Sequence, residues 1–95
     1  MSMKDAYEQK LKGQLSEWRA EIDKMKAQAE KAQGDAQLAY YKEIEDLRAR
    51  QEAARDKLDE LRDAGDSAWE DLKTGLDKTW DDMSDAVNKA ASRFQ

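Results

Sequence analysis

Residues 68–89 carry a tandem repeat of eleven residues, and this repeat constrains the fold more than any other feature. The segment AWEDLKTGLDK (68–78) is followed directly by TWDDMSDAVNK (79–89), which repeats its pattern of apolar and acidic residues. Eleven residues span about three turns of an α-helix, so apolar residues with this spacing return to nearly the same face. The repeat therefore predicts a nearly straight helix with one continuous apolar stripe, and such a stripe must be covered by another surface.

The same helical periodicity extends over almost the whole chain. Bulky apolar residues recur at steps of three and four, which is the spacing of one helix face. We call these residues the association stripe and expect them to carry the protein's contacts. The association stripe consists of Leu11, Leu15, Trp18, Ile22, Met25, Ile44, Leu47, Leu58, Leu61, Trp69, Leu72, Leu76, Trp80, Met83, Val87 and Phe94.

The composition favours helices and one small domain. The chain has 95 residues, no proline, 41% charged residues and 39% hydrophobic residues, so a thick globular core is not expected but long helices are. We therefore predict an all-α fold in which residues 1–95 form a single helical domain.

Two sites can end a helix. At residues 64–67, Gly65 suits a position just past a helix end, and Ser67 with Glu70 matches a capping box before the next apolar run. At residues 34–35 the signal is weaker, because the apolar phase continues through Gly34.

These sites allow two architectures. The one we expect is a long helical hairpin, an antiparallel coiled coil with a long helix over about residues 4–63, a turn at 64–67 and a second helix over about 67–93. The alternative is a three-helix bundle with a second break near residues 34–35. In the hairpin the short helix covers only half of the long one, so the stripe from Leu11 to Met25 would stay open and recruit a partner.

The sequence offers little for catalysis or for binding a cofactor. It contains no histidine and no cysteine, which removes the commonest proton shuttle and the commonest thiol nucleophile. Asp77, Asp81 and Asp85 share one helix face, but lysines lie within reach and a solvated acidic face is the expected outcome. We predict a protein that is not an enzyme and has no metal, no cofactor and no small-molecule substrate.

Charge and hydropathy indicate which classes of partner are disfavoured. The net charge is −5, and residues 56–95 carry all of the excess, with 11 acidic and 6 basic side chains. This charge disfavours nucleic acid. It also weakens electrostatic docking on anionic lipid, so a membrane surface is a less favoured partner. The first ten residues lack the apolar stretch of a secretory signal, which indicates a cytoplasmic protein.

The order of these segments resembles a family of small bacterial coiled-coil proteins linked to stress response. The matching stretches are residues 7–32, 40–61 and 67–94, and the tandem tryptophan repeat with its AASRF ending is the most specific of them. The resemblance implies an all-helical, non-enzymatic protein with a link to bacterial stress, and it carries over no catalytic or binding residue. In its periodicity alone, the repeat is also similar to late-embryogenesis-abundant proteins and exchangeable apolipoproteins.

Two functions remain open from the sequence. The first is a structural or interaction protein that forms homo-oligomers through the association stripe. The alternative is a stress protectant, or a peripheral amphipathic helix on a lipid surface, that becomes ordered on contact. The open stripe of the expected hairpin favours the first.

Overall fold

The computed structural model describes residues 2–65 and 67–93, which form three helices. These are α1 (Met3–Lys31), α2 (Gly34–Asp63) and α3 (Trp69–Arg93). Within the described residues there is no β-strand, so the prediction of an all-α fold is confirmed.

Ion pairs between α1 and α2 show that these two helices are antiparallel. Near the start of α1, Glu8 Oε1 lies 3.0 Å from Nε of Arg62 at the end of α2. Further along α1, Asp23 Oδ1 lies 4.0 Å from Nη2 of Arg48. Residue numbers therefore increase along α1 in the direction in which they decrease along α2.

Aromatic contacts show that α3 runs parallel to α1. The ring of Tyr7 lies 5.9 Å from that of Trp69, and the ring of Trp18 lies 6.0 Å from that of Trp80. The result is an up-down-up bundle with dimensions of 51 × 19 × 18 Å, the proportions expected of helices of 25 to 30 residues packed side by side.

The continuous helix that we predicted over residues 4–63 is interrupted at residues 32–33. α1 ends at Lys31, Ala32 has an extended backbone with ψ 164°, and α2 begins at Gly34 with φ +63°. Glycine lacks a Cβ and adopts this left-handed conformation without the steric penalty that other residues incur. Of the two predicted architectures, the chain therefore adopts the one with three helices.

Burial explains why the chain turns here although the apolar phase continues. The turn folds α2 back along α1, where Ile44 and Leu47 are buried in the same core as Ile22 and Met25. Burying each such side chain contributes about 1.5–3 kcal/mol. In an uninterrupted helix, Ile22 and Met25 would have to be covered by another molecule.

The predicted turn at residues 64–67 falls within the second connection. α2 ends at Asp63 and α3 begins at Trp69, two residues after the predicted start of the second helix. The Trp69 amide donates to the Gly65 carbonyl at 3.2 Å, which holds the start of α3 against this connection. Residue 66, which belongs to the predicted turn, lies outside the described residues.

Side chains from neighbouring helices satisfy carbonyls at both connections. Gln37 of α2 donates its Nε2 to the carbonyl of Ala29, near the end of α1, at 3.2 Å. Lys4 of α1 donates its ammonium to the carbonyls of Arg62 and Ala64 at the end of α2. Such bonds add donors at helix ends, where carbonyl groups lack part of their intrahelical partners, and a cation is favoured there by the helix dipole.

The core is one apolar layer between the three helices. No polar or charged residue is buried among those that the structure describes. Apolar packing therefore holds the helices together. The buried residues are Leu11, Trp18, Ile22, Met25, Ala29, Ile44, Leu47, Ala54, Leu58, Leu61, Trp69, Leu76, Trp80, Met83, Val87 and Ala90.

Candidate interaction site

The structure places the association stripe inside the chain's own bundle. Leu15 and Leu72 are only partly buried, and they pack against the core. Phe94 lies outside the described residues. The stripe members that are fully buried are Leu11, Trp18, Ile22, Met25, Ile44, Leu47, Leu58, Leu61, Trp69, Leu76, Trp80, Met83 and Val87.

The stripe from Leu11 to Met25, which we expected to stay open, is covered by α2 and α3. Leu11 is 2% exposed and Met25 is 2% exposed. The expectation rested on a hairpin whose second helix reached only half of the first. Because the chain turns at residues 32–33, α1 is half as long as predicted, and both other helices pack along it.

Trp80 makes the most specific contact between α3 and α1. Its indole Nε1 donates to the carbonyl of Leu11 at 3.2 Å, and this bond is buried. Its ring is inclined at 48° to that of Trp18, a tilted arrangement that aromatic pairs favour. Trp69 contacts Tyr7 in a similar way. Each of the two eleven-residue repeats in α3 therefore contributes one tryptophan that packs against α1.

Tyr7 joins α1 to the acidic face of α3. Its hydroxyl donates to a carboxylate oxygen of Asp77, and the ammonium of Lys73 lies 5.6 Å from the centre of its ring. Burial, the hydrogen bond to Asp77 and the negative charges of Asp77 and Asp81 raise the pKa of Tyr7 well above its ordinary value. Each of these influences disfavours the phenolate, so the hydroxyl stays protonated as a donor.

An open groove of about 640 Å³ runs between α1 and α2. Its lining residues in the described part of the chain all come from these two helices, so it lies on a face that α3 does not cover. The partly buried Leu15 contributes to the floor, and Gln51 crosses it by donating Nε2 to the Leu15 carbonyl at 3.4 Å. We call this surface the α1–α2 groove.

Sequence reasoning missed the basic residues that line the α1–α2 groove. The signal was present as a seven-residue spacing, which places cations two helical turns apart on one face. In a sequence with 41% charged residues, this spacing does not stand out from that of solvated helix faces. The lining cations are Lys12 and Arg19 on α1, and Arg48, Arg55 and Arg62 on α2.

Large exposed apolar side chains are few in the described residues. Leu38 is 68% exposed and Tyr41 is 39% exposed, both near the start of α2, and Met3 is 77% exposed at the start of α1. None of them belongs to the association stripe. The first two define the hairpin end of the bundle, where α1 passes into α2.

The acidic residues of α3 do not assemble into a compact cluster. Asp77, Asp81 and Asp85 are exposed, and Asp77 is engaged by Tyr7. Among residues 2–65 and 67–93, no three carboxylates come close enough together to hold a metal ion. In the same residues, no helix combines the length and the hydropathy needed to cross a membrane.

Comparisons with known proteins add no relative. The chain matches no protein-family model, no curated protein and no solved structure.

Proposed function

We propose that this chain is a non-enzymatic structural or interaction protein that self-associates by exchanging α3 between copies. The observation that carries the proposal is the apolar contact between α3 and the α1–α2 pair. This contact contains Trp80, Met83 and Val87, and each of them is at most 4% exposed. The facing surfaces of α3 and the α1–α2 pair are therefore suited to association, but in a single copy they cover each other.

Exchange of α3 would use the same contacts between two copies. The connection between Asp63 and Trp69 is short, and short connections favour the exchange of an element between identical chains. The hydrogen bond from Trp80 to Leu11 and the ring contact with Trp18 would form identically in the exchanged dimer. In that dimer the association stripe would carry the contacts between copies, with the partner's α3 in place of the chain's own.

The absence of a catalytic role is part of the proposal. The sequence has neither histidine nor cysteine, and the buried residues of the described ranges are all apolar. Perturbed groups that do chemistry usually lie in a desolvated cleft. The α1–α2 groove is open, and its charged side chains lie at the surface.

The proposal is tested by measuring the mass by light scattering and the helicity by circular dichroism over one dilution series. We expect a dimer that dissociates on dilution and refolds as a helical monomer. The matched variant carries an insertion of about six Gly and Ser residues after Gly65, which gives α3 a relaxed path back to its own chain. It should be helical but monomeric at every concentration. A wild-type protein that stays monomeric into the millimolar range would overturn self-association.

The second candidate is a stress protectant that opens on a lipid surface. The observation that favours it is that one opening of the bundle would expose all three tryptophans together with the rest of the stripe. Because Trp18, Trp69 and Trp80 are already buried, a change in tryptophan emission is a poor readout. Flotation with zwitterionic phosphatidylcholine vesicles is better. Helical protein that never floats with the vesicles would eliminate this candidate.

The cellular setting enters the proposal only through the sequence. The resemblance to coiled-coil stress proteins supports a link to bacterial stress. Such a link fits a protein that acts by holding helices together. Abundance measured by immunoblotting before and after a stress, in the source cells, tests this link.

A further inference from the structure

The α1–α2 groove has two rows of cations along its edges. Lys12 and Arg19 follow one another after seven residues on α1, and Arg48, Arg55 and Arg62 do so on α2. Seven residues make about two helical turns, so each row runs along its helix rather than around it. The margins of the groove therefore carry five cations and three carboxylates, a net positive surface in a chain whose net charge is −5.

Three of these cations have acidic partners within the chain. Glu8 Oε1 lies 3.0 Å from Nε of Arg62 and 3.6 Å from Nζ of Lys12. Arg48 lies 4.0 Å from Asp23. The remaining two cations are Arg19 and Arg55.

Arg19 and Arg55 make no ion pair and no hydrogen bond within the described residues. One lies on each side of the groove. Both are exposed, so their guanidinium groups are hydrated and available. Guanidinium groups bind carboxylates with two parallel hydrogen bonds, which gives such a pair direction as well as attraction.

The floor between the two rows contains apolar side chains and is crossed by Gln51. Leu15 is partly exposed there, and the buried side chains of Ile22 and Leu58 form the base. In helix bundles a surface of this kind, a concave strip between two antiparallel helices, is the position that a fourth helix occupies. An occupant needs apolar residues on one face and carboxylates on both flanks of that face.

We propose that the α1–α2 groove binds an acidic amphipathic helix of another protein. This inference goes beyond self-association and does not depend on it, because the groove lies on a face that α3 leaves uncovered. The apolar face of the bound helix contacts Leu15, and its flanking carboxylates pair with Arg19 on one side and Arg55 on the other.

A second folded copy does not provide such a helix. α3 is the acidic helix of this chain, but its large apolar residues are turned into the core. The large exposed apolar residues of the described ranges are Met3, Leu38 and Tyr41, and none of them lies on α3. Two copies placed groove to groove would bring like rows of cations together.

Nucleic acid fits the groove less well than an acidic helix. Asp23, Glu52 and Asp59 also line it, and they would face the phosphates of a bound strand. A helix with spaced carboxylates can place each of them opposite an arginine, whereas a strand carries a charge at every nucleotide.

The test uses a fluorescent synthetic helix of about 20 residues, long enough to be partly helical in water, with leucines on one face and glutamates on its flanks. A second peptide has lysine at each glutamate position. We expect the acidic peptide to bind at least about tenfold more tightly than the basic one, with an affinity that falls as salt is added.

The decisive variant is R19E/R55E, and its matched control is K24E/K42E. The control makes the same change of net charge at exposed positions on the same two helices, outside the groove. Affinity for the acidic peptide should fall by about tenfold or more in R19E/R55E and by less than about twofold in the control. Circular dichroism of both variants verifies that the bundle remains folded.

Several results would overturn the proposal. Equal losses in the two variants would mean that net charge alone attracts the peptide. Binding of the basic peptide as tightly as the acidic one, or of neither, would remove the acidic helix as occupant. A dimer that R19E/R55E dissociates in the absence of peptide would identify a second copy, and displacement of the peptide by a single-stranded oligonucleotide would identify nucleic acid. Loss of α3 exchange would leave peptide binding unchanged, so the two proposals fail separately.

Discussion

The two ends of the bundle are built from different side chains. At the tryptophan end, which extends from the starts of α1 and α3 to the middle of both, these two helices meet through large aromatic rings, with Trp80 against Trp18 and Trp69 against Tyr7. At the hairpin end, the small residue Ala29 is buried with no exposed surface. There Leu38 lies mostly in solvent although it is a large apolar residue.

This difference indicates that the two ends have different structural roles. At the tryptophan end, the buried aromatic residues each contribute a large apolar area and therefore stabilise the packing of α3 on α1. Small residues at the hairpin end allow the helices to approach closely and the chain to reverse direction. The first end fixes which helices pack together, and the second fixes where the chain turns.

The strongest test of this comparison is Trp80→Ala. Because the substitution removes a ring that is 4% exposed and the indole donor to Leu11, we expect a loss of about 3–5 kcal/mol in the free energy of unfolding. Urea denaturation followed by circular dichroism measures it. The control is Leu38→Ala at the hairpin end, where the expected change is below about 0.5 kcal/mol.

A milder variant covers the case in which Trp80→Ala does not fold. Trp80→Phe keeps a ring beside Trp18 but leaves the Leu11 carbonyl without its donor, and we expect a loss of about 1–3 kcal/mol. If neither variant were less stable than Leu38→Ala, the tryptophan end would not carry the stability assigned to it.

The second test crowds the hairpin end with Ala29→Leu. Ala29 is fully buried between helices, so a larger side chain must push them apart, with an expected loss of about 1–3 kcal/mol. Ala27→Leu is the matched control, because Ala27 is exposed on the same helix and should change stability by less than about 0.5 kcal/mol. Equal effects in thermal melts of the two variants would contradict close packing at residue 29.

The third test concerns the turn itself and uses two glycines with opposite expectations. Gly34→Ala should lower the free energy of unfolding by about 1–2 kcal/mol, because its φ of +63° is strained for alanine. Gly13→Ala should raise it by about 0.5–1 kcal/mol, because Gly13 is helical and an added Cβ meets nothing within 4 Å.

The sign of the change in the free energy of unfolding for Gly34→Ala distinguishes the two architectures. If residues 4–63 formed one helix, Gly34→Ala would stabilise the protein as Gly13→Ala does. Denaturant melts of the two variants beside the wild type give both signs in one experiment.

The smallest expected effect is that of Tyr7→Phe at the tryptophan end. Loss of the hydrogen bond to Asp77 should lower the free energy of unfolding by about 0.5–1.5 kcal/mol at pH 8. The folded-state pKa of Tyr7 is raised, so its contribution is complete below the unfolded value near 10 and is lost as the pH rises beyond it.

The pH dependence separates this bond from simple packing. Wild type should lose stability between about pH 9.5 and 11 more steeply than Tyr7→Phe, measured by urea denaturation at each pH. Absorbance of the phenolates at alkaline pH should show one late step that Tyr7→Phe abolishes. Identical pH profiles for the two proteins would contradict the shifted pKa.

The apolar periodicity was enough to predict the core but not its partner. Residues such as Leu11 and Trp80 were assigned to a buried face because their spacing keeps them on one side of a helix. Periodicity does not indicate whether the covering surface belongs to the same chain or to another molecule. The expected open stripe was wrong for that reason.

The turn at residues 32–33 was harder to predict than the one before α3. Gly65 and Ser67 mark the second connection with local signals, and the structure has a connection there. At Gly34 the apolar steps continue unchanged, and only the backbone angle of one glycine distinguishes a turn from a helix. Likewise, the basic margins of the α1–α2 groove depend on how two helices pair, which no single-helix pattern contains.

The odd number of helices has a mechanical consequence. A chain that traverses the bundle three times enters beside Trp69 and leaves toward the level of Glu43, where Arg93 is bound. Tension applied between Met3 and Arg93 would therefore be directed along the long axis. The helices would have to slide lengthwise past one another, breaking many contacts at once, rather than peel apart one contact at a time. Such a bundle would resist stretching along its long axis.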